Sequence, residues 1–143
     1  MQIITAQQLN DEITVAFQRL VPQLSKLSLP PTRDELQAII SSPDAILFLA
    51  KDESGKIVGS LTLIFFRIPT GLRARIEDVV VDESVRRKGI GEALTRAGLE
   101  KARQAGAPYV DLTSNPARQA ANRLYQRLGF QLRQTNVYRY FFE

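Results

Sequence analysis

The chain has 143 residues, 44% apolar and 24% charged, with a net charge of +4. That length supports one core, spanning 1–143, and the composition is ordinary for a water-soluble globular protein. With no Cys and no His, thiol nucleophiles, histidine triads and thiolate or imidazole metal sites are excluded, so proton chemistry falls to Asp, Glu, Tyr, Lys or water. No loop gathers carboxylates for a hard cation, so no metal is expected. The first residues lack the basic and apolar regions of a secretory signal, and no apolar run could span a bilayer, so no membrane partner and a cytoplasmic location are expected.

Gln2–Thr5 reads as a first strand, and Leu9, Ile13, Phe17 and Leu20 form the apolar stripe of a helix from about Gln7 to Leu20. After Pro30-Pro31, Thr32 and Glu35 have the spacing of a capping box, predicting a second helix through Ile40. Ala45–Lys51, Ile57–Phe66 and Ala74–Val81 read as three strands joined by short turns, an antiparallel meander. From Gly89 a helix runs to about Ala105, stopped by Gly106, followed by a strand at Tyr109–Thr113. Asn115 as N-cap and Pro116 at the first helical position open a last helix, ended by Gly129. Phe130–Arg133 and Val137–Phe142 read as two closing strands. The expected architecture is therefore α/β of the α+β type. It has a mixed, mostly antiparallel sheet of about seven strands with helices on both faces, in the order β-α-α-β-β-β-α-β-α-β-β.

The most informative segment is Arg86-Arg87-Lys88-Gly89-Ile90-Gly91, a basic glycine loop between a strand and a helix. The first N–H groups of a helix have no intrahelical partners and carry partial positive charge, so such a loop suits phosphates. The basic residues are clustered here, yet no consecutive run exceeds three and no aromatics are interleaved. That favours a compact polyanion over a nucleic-acid backbone, and no nucleic-acid partner is expected. The Walker pattern fails because Gly91 is followed by Glu92-Ala93. The dinucleotide pattern fails because Leu94 holds its third small-residue position and too little chain follows for a doubly wound sheet.

The segment from Arg75 to Gly91 resembles the acetyl-CoA signature of the GNAT N-acetyltransferases, whose loop Gln/Arg-x-x-Gly-x-Gly/Ala is matched by Arg86, Gly89 and Gly91. Leu124-Tyr125…Gly129-Phe130 resembles their second conserved block, and the element order agrees over nearly the whole chain. The resemblance implies acetyl-CoA as co-substrate and direct transfer of acetyl to a primary amine, on a small molecule or a peptide. The alternative on the same fold is a non-catalytic acyl-CoA-binding or sensing domain.

By the same resemblance, the loop Arg86, Arg87, Lys88, Gly89, Ile90, Gly91 and Glu92 would hold the CoA pyrophosphate. Main chain at Val79, Val80 and Val81 would pair with the pantetheine arm. Tyr125 would serve as general acid toward the departing thiolate and would also touch the cofactor. Many members carry a cofactor-contacting Asn where this chain has Arg118; Asn115, Ala121 and Asn122 are the nearby cofactor candidates. An ammonium acceptor must lose a proton. Glu77 and Asp78 are the acids in the right neighbourhood, on opposite faces of a regular strand, and Glu77 is preferred as base or water-orienting residue. Its competing role is a strand carboxylate paired with Arg73 or Arg75. The aromatic-rich end (Tyr138, Tyr140, Phe141, Phe142) could close the sheet or pair two subunits in a homodimer.

Overall fold

The computed structural model describes all 143 residues, which divide into two compact units, Met1–Thr113 and Ser114–Glu143. The first holds a five-stranded sheet in the order β1-β2-β3-β4-β5. Its strands are β1 (Gln2–Thr5), β2 (Ala45–Lys51), β3 (Ile57–Ile68), β4 (Gly71–Val81) and β5 (Val110–Asp111). The β1-to-β4 neighbours pair antiparallel and β5 joins β4 parallel, so the sheet is mixed and mostly antiparallel. The β3–β4 connection is tight, because Ile68 pairs with Gly71 across Pro69-Thr70.

Helix α1 (Asp11–Leu24) begins four residues later than the stripe suggested, because Asn10 is the cap and accepts the Ile13 N–H at 2.9 Å. It runs past Pro22, which gives up the N–H that any other residue would donate one turn back. Helix α2 (Arg33–Ser41) has the expected capping box: Thr32 accepts the Glu35 N–H and Glu35 accepts the Thr32 N–H. Ile13, Phe17, Leu20 and Leu36 pack with Leu47, Leu49 and Val80 on one side of the sheet. Helix α3 (Ile90–Gln104) lies on the other side. There a Cβ on Gly98 would come within 3.3 Å of Leu61 and 3.6 Å of Ile76, and Leu61 pairs with Phe48, which alternates with Leu47 and Leu49. Close packing of this kind leaves little room for a side chain at 98.

The second unit contains helix α4 (Gln119–Arg127). It starts three residues after Pro116. Asn115 Oδ1 accepts the Ala117 N–H at 2.9 Å, capping a turn before the helix instead of the helix itself. Gly129 takes the left-handed conformation at its end (φ +102°) and the Phe130 N–H bonds to Tyr125 O. The two closing strands expected at Phe130–Arg133 and Val137–Phe142 are not formed, so the sheet has five strands, not seven. Strand propensity alone does not make a strand; each needs a neighbour for its ladder. For the same reason β5 is two residues long instead of five.

Candidate active site

The site grows from an interruption in β4. Between Ser60 and Thr62 of β3, the facing residues step from Val80 to Glu77, leaving Asp78 and Val79 opposite Leu61. Asp78 has φ +51°, a conformation that Asp tolerates better than most residues. This bulge breaks the two-residue alternation. Ile76 lies under α3, whereas Val80, four residues on, is buried against α1 on the opposite side. Beyond it, β4 also loses its neighbour, because β5 pairs only with Ala74 and Arg75. One edge of Ile76–Val81 therefore faces no strand. The Asp82 N–H donates to Val58 O on β3 at 2.8 Å, so alternation turns the Val81 amide and carbonyl toward the open edge.

The chain then turns through a short 3-10 segment (Glu83–Val85) into the glycine loop. Arg87 (φ +70°) and Gly89 (φ +77°) are both left-handed, flanking Lys88. Alternations of this kind aim successive N–H groups to one side and make anion-binding concavities. Gly89 is the N-cap of α3, and no side chain caps the helix, so its first amides keep their donor capacity. Arg86, Arg87 and Lys88 are exposed and outside every ion pair. Arg86 Nε donates to Val81 O at 3.2 Å, tying the loop to the end of β4. Ile90 is buried as an apolar anchor, and Glu92 lies beside Arg96 at 3.4 Å. Thr95, fully buried, donates to Gly91 O at 2.7 Å.

Four residues that the motif reading passed over hold this loop in place. A Cβ on Gly59 would stand 3.1 Å from Val80 O, 3.2 Å from Leu94 and 3.3 Å from Ile90. Gly59 thus admits the first turns of α3 onto the sheet, and a glycine inside a strand pattern was the available signal. From α1, Arg19 Nε pairs with Asp82 at 3.0 Å and its Nη2 donates to Ile57 O. Gln23 accepts the Glu83 N–H at 2.8 Å. Asp82 also accepts the amide and hydroxyl of Ser84 at 3.1 and 2.9 Å. Burial pushes the Asp82 carboxyl up, but the Ser84 and Arg19 contacts outweigh it and hold it below the usual range.

The two strand carboxylates have different surroundings. Glu77 accepts from Arg75 Nε at 3.1 Å, the pairing anticipated for a strand carboxylate. Asp78 has no ion-pair partner; desolvation, then the neighbouring Glu77 charge, raise its pKa. Arg73 is committed elsewhere, donating to Leu72 O and to Thr70 while lying over the Tyr109 ring at 5.0 Å.

In the second unit, Tyr125 is half-buried on α4 and meets Phe130 edge-on, ring centroids 5.6 Å apart. Burial raises its phenol pKa, only partly offset by the positive charge of Arg118. It therefore stays protonated throughout the neutral range. Asn122 Nδ2 donates to Arg118 O, Asn115 O and Ser114 Oγ at 2.8, 2.9 and 3.2 Å. Both N–H groups are thus spent on fixing the turn before α4. Ala121 is half-buried beside it.

A free strand edge followed by an uncapped basic helix start is the geometry expected of the family resembled in the sequence, and comparison with known proteins decides the matter. The profile of the acetyltransferase (GNAT) family matches residues 10–130. The chain belongs to the GNAT acetyltransferase family. Among GNAT relatives, it is 32% identical over 124 residues to an aminoalkylphosphonate N-acetyltransferase of Salmonella typhimurium, covering 84% of this chain and 80% of that one. It is 46% identical over 59 residues to a mycothiol acetyltransferase of Nocardiopsis dassonvillei, covering 41% of this chain. The chain spans 18% and 29% of the length of the two mycothiol acetyltransferases it matches. An aminoglycoside acetyltransferase from an uncultured soil sample, in complex with sisomicin, superposes with a TM-score of 0.83 at 23% identity, covering 99% of this chain and 95% of that one. That last likeness shows the GNAT fold alone. No group of three or more Asp or Glu side chains lies together as a metal ligand set, and no helix is long and apolar enough to cross a membrane.

Proposed function

We propose that this chain moves an acetyl group from acetyl-CoA to a primary amine by direct attack of the amine on the thioester. One arrangement carries the reading: the free edge of β4 past its bulge runs into a left-handed basic turn and the uncapped start of α3. An extended amide-bearing arm fits the edge as an added strand, and a pyrophosphate fits the helix start, so one continuous ligand suits both. In this proposal Val79, Val80 and Val81 supply main-chain partners to pantetheine. Arg86 to Glu92 receive the pyrophosphate, and Asn115, Ala121 and Asn122 border the cofactor, Asn122 chiefly by holding its turn.

In the transfer the amine nitrogen bonds to the acetyl carbon, the carbon–sulfur bond breaks, and its electron pair leaves on sulfur. Nitrogen loses one proton and sulfur gains one. Tyr125, kept neutral by burial, is the proposed donor to sulfur. Glu77, held by Arg75, is the proposed base or water-orienting carboxylate. The acceptor is proposed as a small-molecule or peptide amine. A cytoplasmic location belongs to this reading, as does a homodimer.

The test is calorimetric titration with acetyl-CoA, followed by a panel of amino sugars, aminoglycosides, aminoalkylphosphonates, polyamines and peptide N-termini, scored by release of free CoA thiol. Binding with acceptor-dependent release supports the proposal. Binding without release on any amine favours the acyl-CoA-sensing alternative, and absence of binding sinks both.

A further inference from the structure

We propose that a groove between the outer side of α1 and the start of β3 binds a small aliphatic monocarboxylate, and that its occupancy steadies the entry to the glycine loop through Arg19. The groove lies wholly within the unit Met1–Thr113. The inference does not rest on the acetyl-transfer reading.

The groove has a volume of about 350 Å³, at the lower end of the range for small-molecule sites, so it suits a ligand of a few carbons. Val15 and Ala16 on α1 and Ile57 on β3 supply its apolar lining. Ala16 and Ile57 are each 2% exposed and form the floor, whereas Val15, at 57%, is a wall open to solvent. Asp11, Val15 and Arg19 are four residues apart. They therefore follow one stripe of α1, about 12 Å long, turned away from the buried stripe of Ile13, Phe17 and Leu20.

The charges around the groove select an anion. Asp11 is paired with Arg33 at 2.7 Å, Glu12 with Lys51 at 3.6 Å and Asp82 with Arg19 at 3.0 Å. Lys56, exposed on the rim, belongs to no ion pair. Asp52 in the same turn feels its charge, but turns Oδ1 to Ser54 and to the Lys56 N–H. The Lys56 ammonium is thus open to an outside carboxylate. Arg19 adds a second donor. Its Nε is spent on Asp82 and its Nη2 on Ile57 O, while Nη1 has no partner in the protein. A carboxylate meeting Lys56 and Arg19 Nη1 satisfies both, and its chain lies over Val15 and Ala16. The acids at the other end, Asp11 and Glu12, already face cations, so the ligand needs no ammonium. A ligand on Nη1 also fixes the guanidinium whose other nitrogens hold Asp82 and Ile57. Asp82 in turn accepts the Ser84 amide and hydroxyl at the entry to the loop. Ordering one end of this run of contacts leaves less freedom to lose at the other.

The test titrates the full chain with hexanoate, hexylamine and 6-aminohexanoate, followed by two-dimensional NMR of the backbone amides. Hexanoate is expected to bind in the millimolar range and to shift Val15, Ala16, Lys56 and Ile57, with hexylamine inert. Lys56→Gln is expected to weaken hexanoate about 5-fold, the scale of an exposed ion pair, and Val15→Asp to weaken it further. Both positions are exposed, so neither change disturbs the core. Amide hydrogen exchange from Ser84 to Glu92 is expected to slow about 3-fold in saturating hexanoate, and not to slow in Arg19→Met. Shifts confined to 86–92 would place the carboxylate on the basic loop and overturn the proposal. Hexanoate binding unchanged in Lys56→Gln, or no binding at all, would overturn it as well. Tighter binding of 6-aminohexanoate than of hexanoate would show Asp11 and Glu12 open to an ammonium and reject the ligand class. Unchanged loop exchange would reject the link through Arg19. None of these readouts involves acetyl transfer, so failure here leaves the functional reading standing.

Discussion

Arg19 Nε lies 3.0 Å from Asp82 Oδ2, joining the middle of α1 to the residue at which β4 ends and the glycine loop begins. Asp82 is almost fully buried and Arg19 about one-third exposed. The same guanidinium donates to Ile57 O on β3, so one side chain fixes a helix, a strand and the entry to the loop.

Arg19→Met should therefore act twice. It leaves a buried carboxylate without its cation, and losing one partner of a part-buried pair costs about 1–3 kcal/mol after allowance for solvent screening. It should also raise the KM for acetyl-CoA more than that for the acceptor, because the loop loses an anchor. The pH dependence follows from sign. The folded Asp82 carboxyl is held below its ordinary value, so its contribution is present above the unfolded pKa and is lost as pH falls through the folded one. Removing Arg19 raises the folded value and shrinks that contribution. Urea titrations at neutral and acidic pH should show a smaller destabilisation in acid; an unchanged KM for acetyl-CoA would deny Arg19 the anchoring role.

Gly59 and Gly98 both admit α3 to the sheet, yet they should not respond alike. An alanine at 59 meets a backbone carbonyl, Val80 O, at 3.1 Å, whereas at 98 it meets the end of the Leu61 side chain at 3.3 Å. Side chains give way more readily than backbone. Gly59→Ala should cost about 2–3 kcal/mol and weaken acetyl-CoA binding several-fold, since it displaces the helix start; Gly98→Ala should cost about 1 kcal/mol or less. Thermal unfolding with calorimetric binding measures both, and equal effects would contradict the geometry.

Tyr125→Phe removes only a hydroxyl and keeps the edge-on contact with Phe130. If the phenol donates to the leaving sulfur, kcat should fall on the order of 100-fold with little change in the Kd for CoA. Because burial raises its pKa, the parent protein should show no loss of the donor through the neutral range. Unchanged kcat removes Tyr125 from the chemistry.

Glu77 and Asp78 can be separated in the same assay. Glu77→Gln keeps a hydrogen bond to Arg75 but removes the base, and should lower kcat at least 10-fold at neutral pH. Asp78 is the control for proximity. Its raised folded pKa means that ionisation works against the fold, a cost that grows as pH rises through that value. Asp78→Asn, which also tolerates the left-handed backbone, should leave stability at neutral pH unchanged or raise it by about 0.5 kcal/mol. A larger kcat loss at Asp78 than at Glu77 would reverse the assignment.

Much of this protein is written locally. The capping box at Thr32, the meander of β2 to β4 and the glycine stop of α3 each depend on residues within a few positions, so periodicity and capping chemistry reveal them. The phosphate-suited loop is also legible, because helix amides, glycine freedom and adjacent cations all come from one short segment. Three matters were settled only by distant contacts. The bulge at Asp78 shows itself only when β4 is laid against β3. Gly59, Arg19 and Asp82 become parts of the site only once α1, β3 and α3 are packed together. The tail from 131 has strand-forming residues but no strand, since a ladder needs hydrogen bonds from a second segment. Local interactions determine which shapes a segment prefers. Only tertiary packing supplies the partner that makes one of them hold.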